Sequence, residues 1–581
     1  MKKPNSVDLV SQFYKEKVDL KKIEQARASR TQVTSGLEPY TGVWGNAQKK
    51  HLLNRVLTGY SSKHLQEISS LSLSKSLDLI FKADKTPVVP VNDYDYEITK
   101  EETEKQGHYY IPPGEVYVFA PEPNGSPWPR HQSHDAWLFK NMIEQNTSIH
   151  WRMVFFLHNL LACGKGSVKM MYQHYKMLFD SSFGSYKSLM YKVTLDPMML
   201  DYLNLQQSQK YKPDENYARE LQELFTVGKG PNSKYTEEDV TEMARLLVGW
   251  QFKWESKTSM GPIVNQFSHW NHDTGDKQFS AFYGNRVIKG RQGSDGMQEL
   301  DEALDMIFAT EECALYLCRR LYQFFCYPLI DDLTEKNIIV PMADLLRKNN
   351  YELLVPLKAL LGSAHFFDSS FYNSMIKSPV EYTFGLLKEF EFMYINYEMA
   401  SDIPARYTSE LNKNFYKYRS IQWELGNVGL NFTDPPSVSG WPAYYQEPVF
   451  DLFWINSDTV AKRASMGNGI GRWGKWIGNG DTKGNVHVQI DIIKYLASLK
   501  NPSNIDDVID ESIDRLMSVP ISQAARTRIR MKTLDGVTPT YYTQLYQSHL
   551  TKPTDDTRST LTYRIQNMFG ALFQMGEIHL F

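Results

Sequence analysis

PDENYARELQELFTVGKG, residues 213–230, is the stretch on which the reading of the chain turns. Pro213-Asp214 can open a helix, with Asp214 as its cap, and Gly228 can close it. At about 100° per residue, Tyr217, Ala218, Leu221, Leu224 and Phe225 fall on one face, an apolar stripe that seeks a core. Asn216, Arg219, Glu220 and Glu223 fall on the other, and Asn216, Glu220 and Glu223 lie within about 60° of one another. One reading is a shared ligand or metal held by these groups. The other is a solvated ion-pair ladder of Glu215, Arg219 and Glu223 at i, i+4 and i+8.

Working outward, the same spacing of three and four recurs over 135–161, 169–179, 186–193, 236–251, 294–309, 311–327, 333–348 and 380–392. It returns at 457–464 and near 490–500, 504–517 and 558–580. The expected fold is mainly α, a large irregular helical body over 45–581, with two short helices between 51 and 82. Residues 1–44 alternate charge with isolated apolar positions and read as an N-terminal amphipathic arm. Two segments break the pattern. The stretch 86–130 is rich in Pro, Gly, Tyr and Val and reads as an extended insertion, and 259–290 reads as one long polar loop with a hairpin near Gly284-Asn285. The glycine-rich MGNGIGRWGKWIGNGDTK at 466–483 lacks the flanking strand and helix of a phosphate-cradling loop, and so reads as a plain flexible loop.

Lys+Arg 64 against Asp+Glu 67 gives a net charge of −3, too balanced for a surface that tracks a nucleic-acid backbone. The four cysteines form no C-x-x-C pair, which argues against a zinc knuckle, a thioredoxin-like redox pair or a haem attachment. Cys313, Cys318 and Cys326 lie in an apolar helical stretch and read as inert buried thiols. Charges interrupt the first 30 residues before an export signal's apolar run can form, so the chain reads as cytoplasmic. No stretch approaches the ~18 apolar residues of a membrane span.

The loop His269-Trp270-Asn271-His272-Asp273-Thr274-Gly275-Asp276-Lys277 follows the helical pattern at 236–251. Imidazole and carboxylate groups suit zinc or iron, and carboxylates suit manganese or calcium. Brought against the polar face of 213–230, this loop would complete a pocket. In it Glu220, Glu223, His272 and Asp273 act as acid/base groups, Glu220, Glu223 and His272 double as ligands for a divalent metal, and Asn216, Arg219 and Lys277 bind substrate. The alternative is that His272 and Asp273 only stitch the loop down. His158, in WRMVFFLHNLL at 151–161, reads as a satisfied core histidine, and Asn159 beside it needs a partner if buried.

These segments, in this order, resemble the large bacterial family known as domain of unknown function 1800. HLLNRVLTGY at 51–60, WRMVFFLHNLL at 151–161, ENYARELQELFTVGKG at 215–230, YTEEDVTEMARLLVGW at 235–250, HDTGDK at 272–277, KSPVEY at 377–382 and PPSVSGWP at 435–442 carry the resemblance, which covers roughly 45 to 581. The family's His-Asn-His becomes His158-Asn159-Leu160 here, so any ligand set on that helix is incomplete. Family members often accompany a sulfatase- or phosphatase-like protein that is commonly exported. The resemblance therefore implies a partnership of that kind, with co-export to the cell envelope as the alternative to a cytoplasmic location.

Two functional expectations follow. One is hydrolysis or group transfer, metal-dependent in one form, on a polar, glycan-like substrate in the carboxylate/His pocket. The other is a non-enzymatic scaffold that binds its sulfatase-like partner through exposed aromatic surfaces.

Overall fold

Apolar side chains recurring every three or four residues can be buried together only if the backbone coils, and it does: helix accounts for 57% and strand for 4%. The computed structural model describes residues 32–94, 98–390, 394, 395, 415, 417–477 and 486–581. Among these the strands form only two- and three-stranded pieces, so helix-on-helix packing builds the body.

At the centre lies His150–Leu160, every residue of which is buried. A helix apolar on all sides can be stable only when covered all round. Phe155 and Phe156 meet Phe324 of Glu311–Phe325, and Phe155 also meets Phe432 and Trp441. Arg152 on the same helix reaches Glu381 of Pro379–Glu389. The run expected over 135–161 is two helices, Trp128–Ile143 and His150–Leu160. Between them the Thr147 and Ser148 hydroxyls bond to Glu67 and to the Lys82 carbonyl, each at 2.5 Å, which favours local side-chain pairing over helix.

Three helices, not two, occupy the N-terminal region: Asn46–Val56, Ser62–Glu67 and Leu73–Ile80. Of the expected arm, residues 1–31 lie outside the described residues. Residues 32–44 lie against the body, where Tyr40 N donates to Gly362 O at 2.9 Å and Ala364 N to Glu38 O at 2.8 Å. Of the expected extended insertion at 86–130, residues 95–97 lie outside the described residues, and the rest is irregular apart from Lys100–Lys105 and the start of Trp128–Ile143. In the polar loop, Lys277–Gln278 pairs with Val287–Ile288 around Gly284 and Asn285, both at positive φ, so the expected hairpin is present.

The reading of 466–483 as a plain loop is corrected. Ser457–Asn468 is helical, Gly469–Trp473 continues it as a π turn, and Lys475–Ile477 pairs with Val486–Gln489; residues 478–485 lie outside the described residues. Its glycines serve packing: a Cβ on Gly471 would stand 2.2 Å from the Phe573 ring. Two further helices, Gln523–Leu534 and Pro539–Thr551, fill a stretch for which no helix was expected. The first buries Ala525, Ile529 and Leu534, and its Arg526 and Arg530 pair with Asp506 and Asp510 on Ile505–Leu516.

Candidate functional site

The signature segment begins as an α-helix, Asn216–Glu220, and widens into a π turn, Leu221–Thr226. Its apolar face is as read: Tyr217, Ala218, Leu221 and Phe225 are buried and Leu224 is half-buried. The cap position falls on Glu215, which makes no side-chain cap bond; Asp214, expected there, instead accepts from Asn216 N at 2.9 Å one residue earlier, and Gly228 at φ +82° ends the segment. The last carbonyls of a helix have no partner within it. Here Tyr316 donates to Leu224 O at 2.6 Å and Tyr186 to Phe225 O at 2.8 Å. Widened π turns recur at functional sites, which directs attention to the side chains on this one.

The expected site residues divide into two groups. Arg219 spans Glu215 and Glu237, Glu223 pairs with Lys229, and Asn216 Nδ2 contacts Leu203 O at 3.4 Å. Thr241 donates to Glu215 at 2.9 Å and Arg219 to Glu237, so Glu237–Leu247 runs back antiparallel to the signature helix. The loop group is anchored at the far end of that helix. Arg245 holds Asp273 through two nitrogens at 2.9 and 3.2 Å, and also pairs with Glu242. Lys277 donates to Glu299 Oε2 at 2.6 Å, and His272 faces Val248 O at 2.8 Å and Glu299 Oε1 at 3.1 Å.

Glu237 and Arg245 are eight residues apart, about 12 Å along the axis. Among the described residues no hydrogen bond or ion pair joins Glu220 or Glu223 to His272, Asp273 or Lys277. Asn271 reaches the start of the signature segment indirectly, donating to Ser208 O at 2.9 Å while Ser208 Oγ accepts from Asp214 N at 2.9 Å, and farther along the polar loop Tyr283 donates to Gln222 Oε1 at 2.8 Å. Nor do three or more His, Cys, Asp or Glu side chains gather anywhere among the described residues as a group able to hold a metal ion. Glu220, Glu223 and His272 are therefore not assembled as one ligand set, and both His272 nitrogens are already turned to oxygen acceptors.

Glu220 is different in kind. It is half-buried, its Oε2 is buried and accepts no hydrogen bond, and its pKa is pushed up to about 7. Burial is the main cause and the Glu223 carboxylate the second, with Lys229 and Arg219 offsetting part of it. Tyr202, Tyr235 and Tyr316 all lie within its field. Tyr202 leads on to a second polar centre that spacing did not suggest. Cys163 Sγ lies 3.4 Å from His174 Nε2, and His174 Nδ1 lies 2.8 Å from Asp196 Oδ2. Burial works to lower the His174 pKa, but Cys163 and Asp196 outweigh it and hold the pKa near 10.

Glu299 and Arg245 were also missed. The signal was available for Arg245, inside the quoted YTEEDVTEMARLLVGW, and for Arg152, whose position in an apolar helix demands a carboxylate. His158 is a core histidine as expected, but it is only half satisfied: Nε2 lies 2.8 Å from Phe432 O, the buried Nδ1 has no hydrogen-bond partner, and burial pushes the pKa down to about 3. Asn159 Oδ1 accepts from Trp441 N at 3.1 Å, so the SGWP segment is seated on the central helix.

The profile of a family described as "Protein of unknown function (DUF1800)" matches residues 51–559. The chain belongs to this family. Every segment of the DUF1800 resemblance lies within the matched span, and the contacts join several of them: Arg152 to Glu381, Asn159 to Trp441, and Arg245 to Asp273. No curated protein and no solved structure matches the chain. No helix of the described residues is long and apolar enough to cross a membrane.

Proposed function

We propose that the chain catalyses hydrolysis or group transfer on a polar, hydroxyl-rich substrate, with Glu220 as the group that gives and takes the proton. The observation that carries this reading is a carboxyl poised near pH 7, with one oxygen buried and unbonded, on the last α-helical residue before the π turn. Proton transfer is most efficient when the group's pKa lies near the working pH, because both of its forms are then populated. Arg219 and Lys277 have their charges answered by Glu215, Glu237 and Glu299, so the reading rests on Glu220 rather than on the wider set first expected. Glu223, paired with Lys229, supplies the like charge that helps keep the Glu220 proton in place.

The test has two parts. Carbon-detected NMR should show a carboxyl titrating near pH 7 in the wild type that is missing from Glu220→Gln. A screen of glycosides, esters, and phosphate and sulfate esters should find a turnover that Glu220→Gln reduces by about 10²-fold or more while remaining folded. A Glu220 carboxyl that titrates below about pH 5, or a turnover indifferent to Glu220→Gln, defeats the reading.

A further inference from the structure

Next to Gly164, against which the Tyr202 ring packs, Lys165 reaches toward buried polar atoms that stand at distances no direct bond explains. Asp135, near the middle of Trp128–Ile143, has a side chain only 5% exposed. Its Oδ2 lies 3.9 Å from Lys165 Nζ, and its Oδ1 lies 3.8 Å from His134 Nδ1 and accepts no hydrogen bond. The His134 ring is fully buried, and neither of its nitrogens has a partner. Hydrogen bonds in proteins run at about 2.7–3.2 Å, so these gaps are too long for direct bonds and of the size that an intervening hydroxyl spans.

The surroundings narrow the choice of occupant. Trp128 is 63% exposed, Tyr202 is 36% exposed, and Lys165 Nζ sits 4.7 Å over the Trp128 ring. Gly164 lets the Tyr202 ring approach the backbone: a Cβ there would stand 2.9 Å from the ring and 3.7 Å from Asp434 Oδ1. Asp434 also accepts from Lys165 N at 3.4 Å, and Tyr202 lies within the fields of both Asp434 and Glu220. The one ammonium, Lys165 Nζ, faces the Asp135 carboxylate, and Asp434 is met by the Lys165 backbone amide, so no cation is left over for a strongly anionic ligand. Donors and acceptors beside exposed aromatic rings suit a molecule with hydroxyls on its edge and C–H groups on its face.

We infer that Trp128, Asp135, Lys165, Tyr202 and Asp434 form a subsite for a neutral sugar ring, adjoining Glu220. A sugar hydroxyl accepts from Lys165 and donates to Asp135, closing the 3.9 Å gap, while Trp128 and Tyr202 flank the ring. The inference rests on the reading of Glu220 as proton carrier for a hydroxyl-rich substrate, and it names that substrate as carbohydrate.

The experiment uses the full chain, labelled, on an array of neutral and anionic glycans, followed by calorimetry with the neutral glycan that is retained best. The expected result is saturable binding by the wild type and by Glu220→Gln, weakened about tenfold or more in Asp135→Asn and in Trp128→Ala. Trp128 is exposed, so its variant keeps the fold even where Asp135→Asn does not. Retention of no neutral glycan, retention of anionic glycans alone, or neutral binding unchanged in Trp128→Ala overturns the inference and leaves water as what fills the gaps. The two readings fail separately. Binding without Glu220-dependent turnover removes the catalytic reading and keeps the subsite, whereas turnover that needs Glu220 but not Trp128 does the reverse.

Discussion

Arg152 and Glu381 form an ion pair with side chains 1% and 3% exposed, and it joins two helices 229 residues apart in sequence. Ser378 donates to the other Glu381 oxygen, and the Arg152 guanidinium also lies 4.3 Å from the Phe324 ring centroid. Such a pair costs much to desolvate and adds little net stability, but removing one partner strands a charge in the core. Arg152→Met should therefore cost about 3–5 kcal/mol in urea melts, and adding Glu381→Leu should recover most of it. A single variant within about 1 kcal/mol of wild type would show the pair to be solvated. Burial works to raise the Glu381 pKa, but Arg152 and Ser378 outweigh it and hold the carboxyl below its usual range. A depressed carboxyl contributes stability that is present above its unfolded value of about 4.3 and is lost as pH falls through the folded value. The wild type should accordingly lose stability more steeply in acid than the double variant.

Glu220 has the opposite sign. Its folded pKa of about 7 lies above the unfolded value of about 4.3, so the stability it contributes is complete below the lower value. That contribution is lost as pH rises through the upper one. Thermal melts should show wild-type stability declining between about pH 4 and 7 relative to Glu220→Gln and levelling off above that. At pH 8 the variant should be the more stable by roughly 1–3 kcal/mol, a range that allows for solvent screening of a half-buried group. Parallel pH profiles for the two proteins would place the Glu220 carboxyl in solvent.

The apolar face of the signature helix was legible because a helix exposes its periodicity directly: Leu221, read as buried, is 0% exposed. The partners of its polar face were not, because Arg219–Glu237 and Glu223–Lys229 depend on where the next helix and the closing turn place their charges. Periodicity on one strand of sequence carries no distance to another. The same limit hid Glu299, which lies 22 residues from Lys277 and 27 from His272 yet answers both.

Glycine was misread for a related reason. At 466–483 it suggested looseness, whereas the structure uses Gly471 to bring one helix against Phe573 of the C-terminal segment. Gly471→Ala forces its Cβ into that ring and should cost about 1–3 kcal/mol by overpacking, even though alanine favours helix. Pairing it with Phe573→Leu should return part of the loss, a coupling that a double-mutant cycle measures. An additive cycle would mean that the two segments separate more easily than this packing implies.

The Lys277–Glu299–His272 cluster separates a structural polar network from a reactive one. Both Glu299 oxygens are engaged, Oε2 by Lys277 at 2.6 Å, and Oε1 by His272 at 3.1 Å and by Arg291 N at 2.7 Å. Burial works to raise the Glu299 pKa, but His272 and Lys277 outweigh it and hold the carboxyl low. A reactive carboxyl keeps an oxygen free and its pKa near the working pH, and Glu299 has neither property. Glu299→Ala strands the fully buried Lys277 ammonium, and should cost about 3–5 kcal/mol at neutral pH. Because the lost interaction is one that an ionised Glu299 makes, the gap between variant and wild type should shrink as pH falls below about 4.3 and the wild-type carboxyl is protonated. Any turnover by the folded fraction of Glu299→Ala should persist, since the cluster is anchored about 12 Å along the 237–247 helix from the Arg219–Glu237 pair. Loss of turnover in a Glu299→Ala protein that melts like the wild type would reverse the assignment, placing the chemistry at this cluster rather than at Glu220.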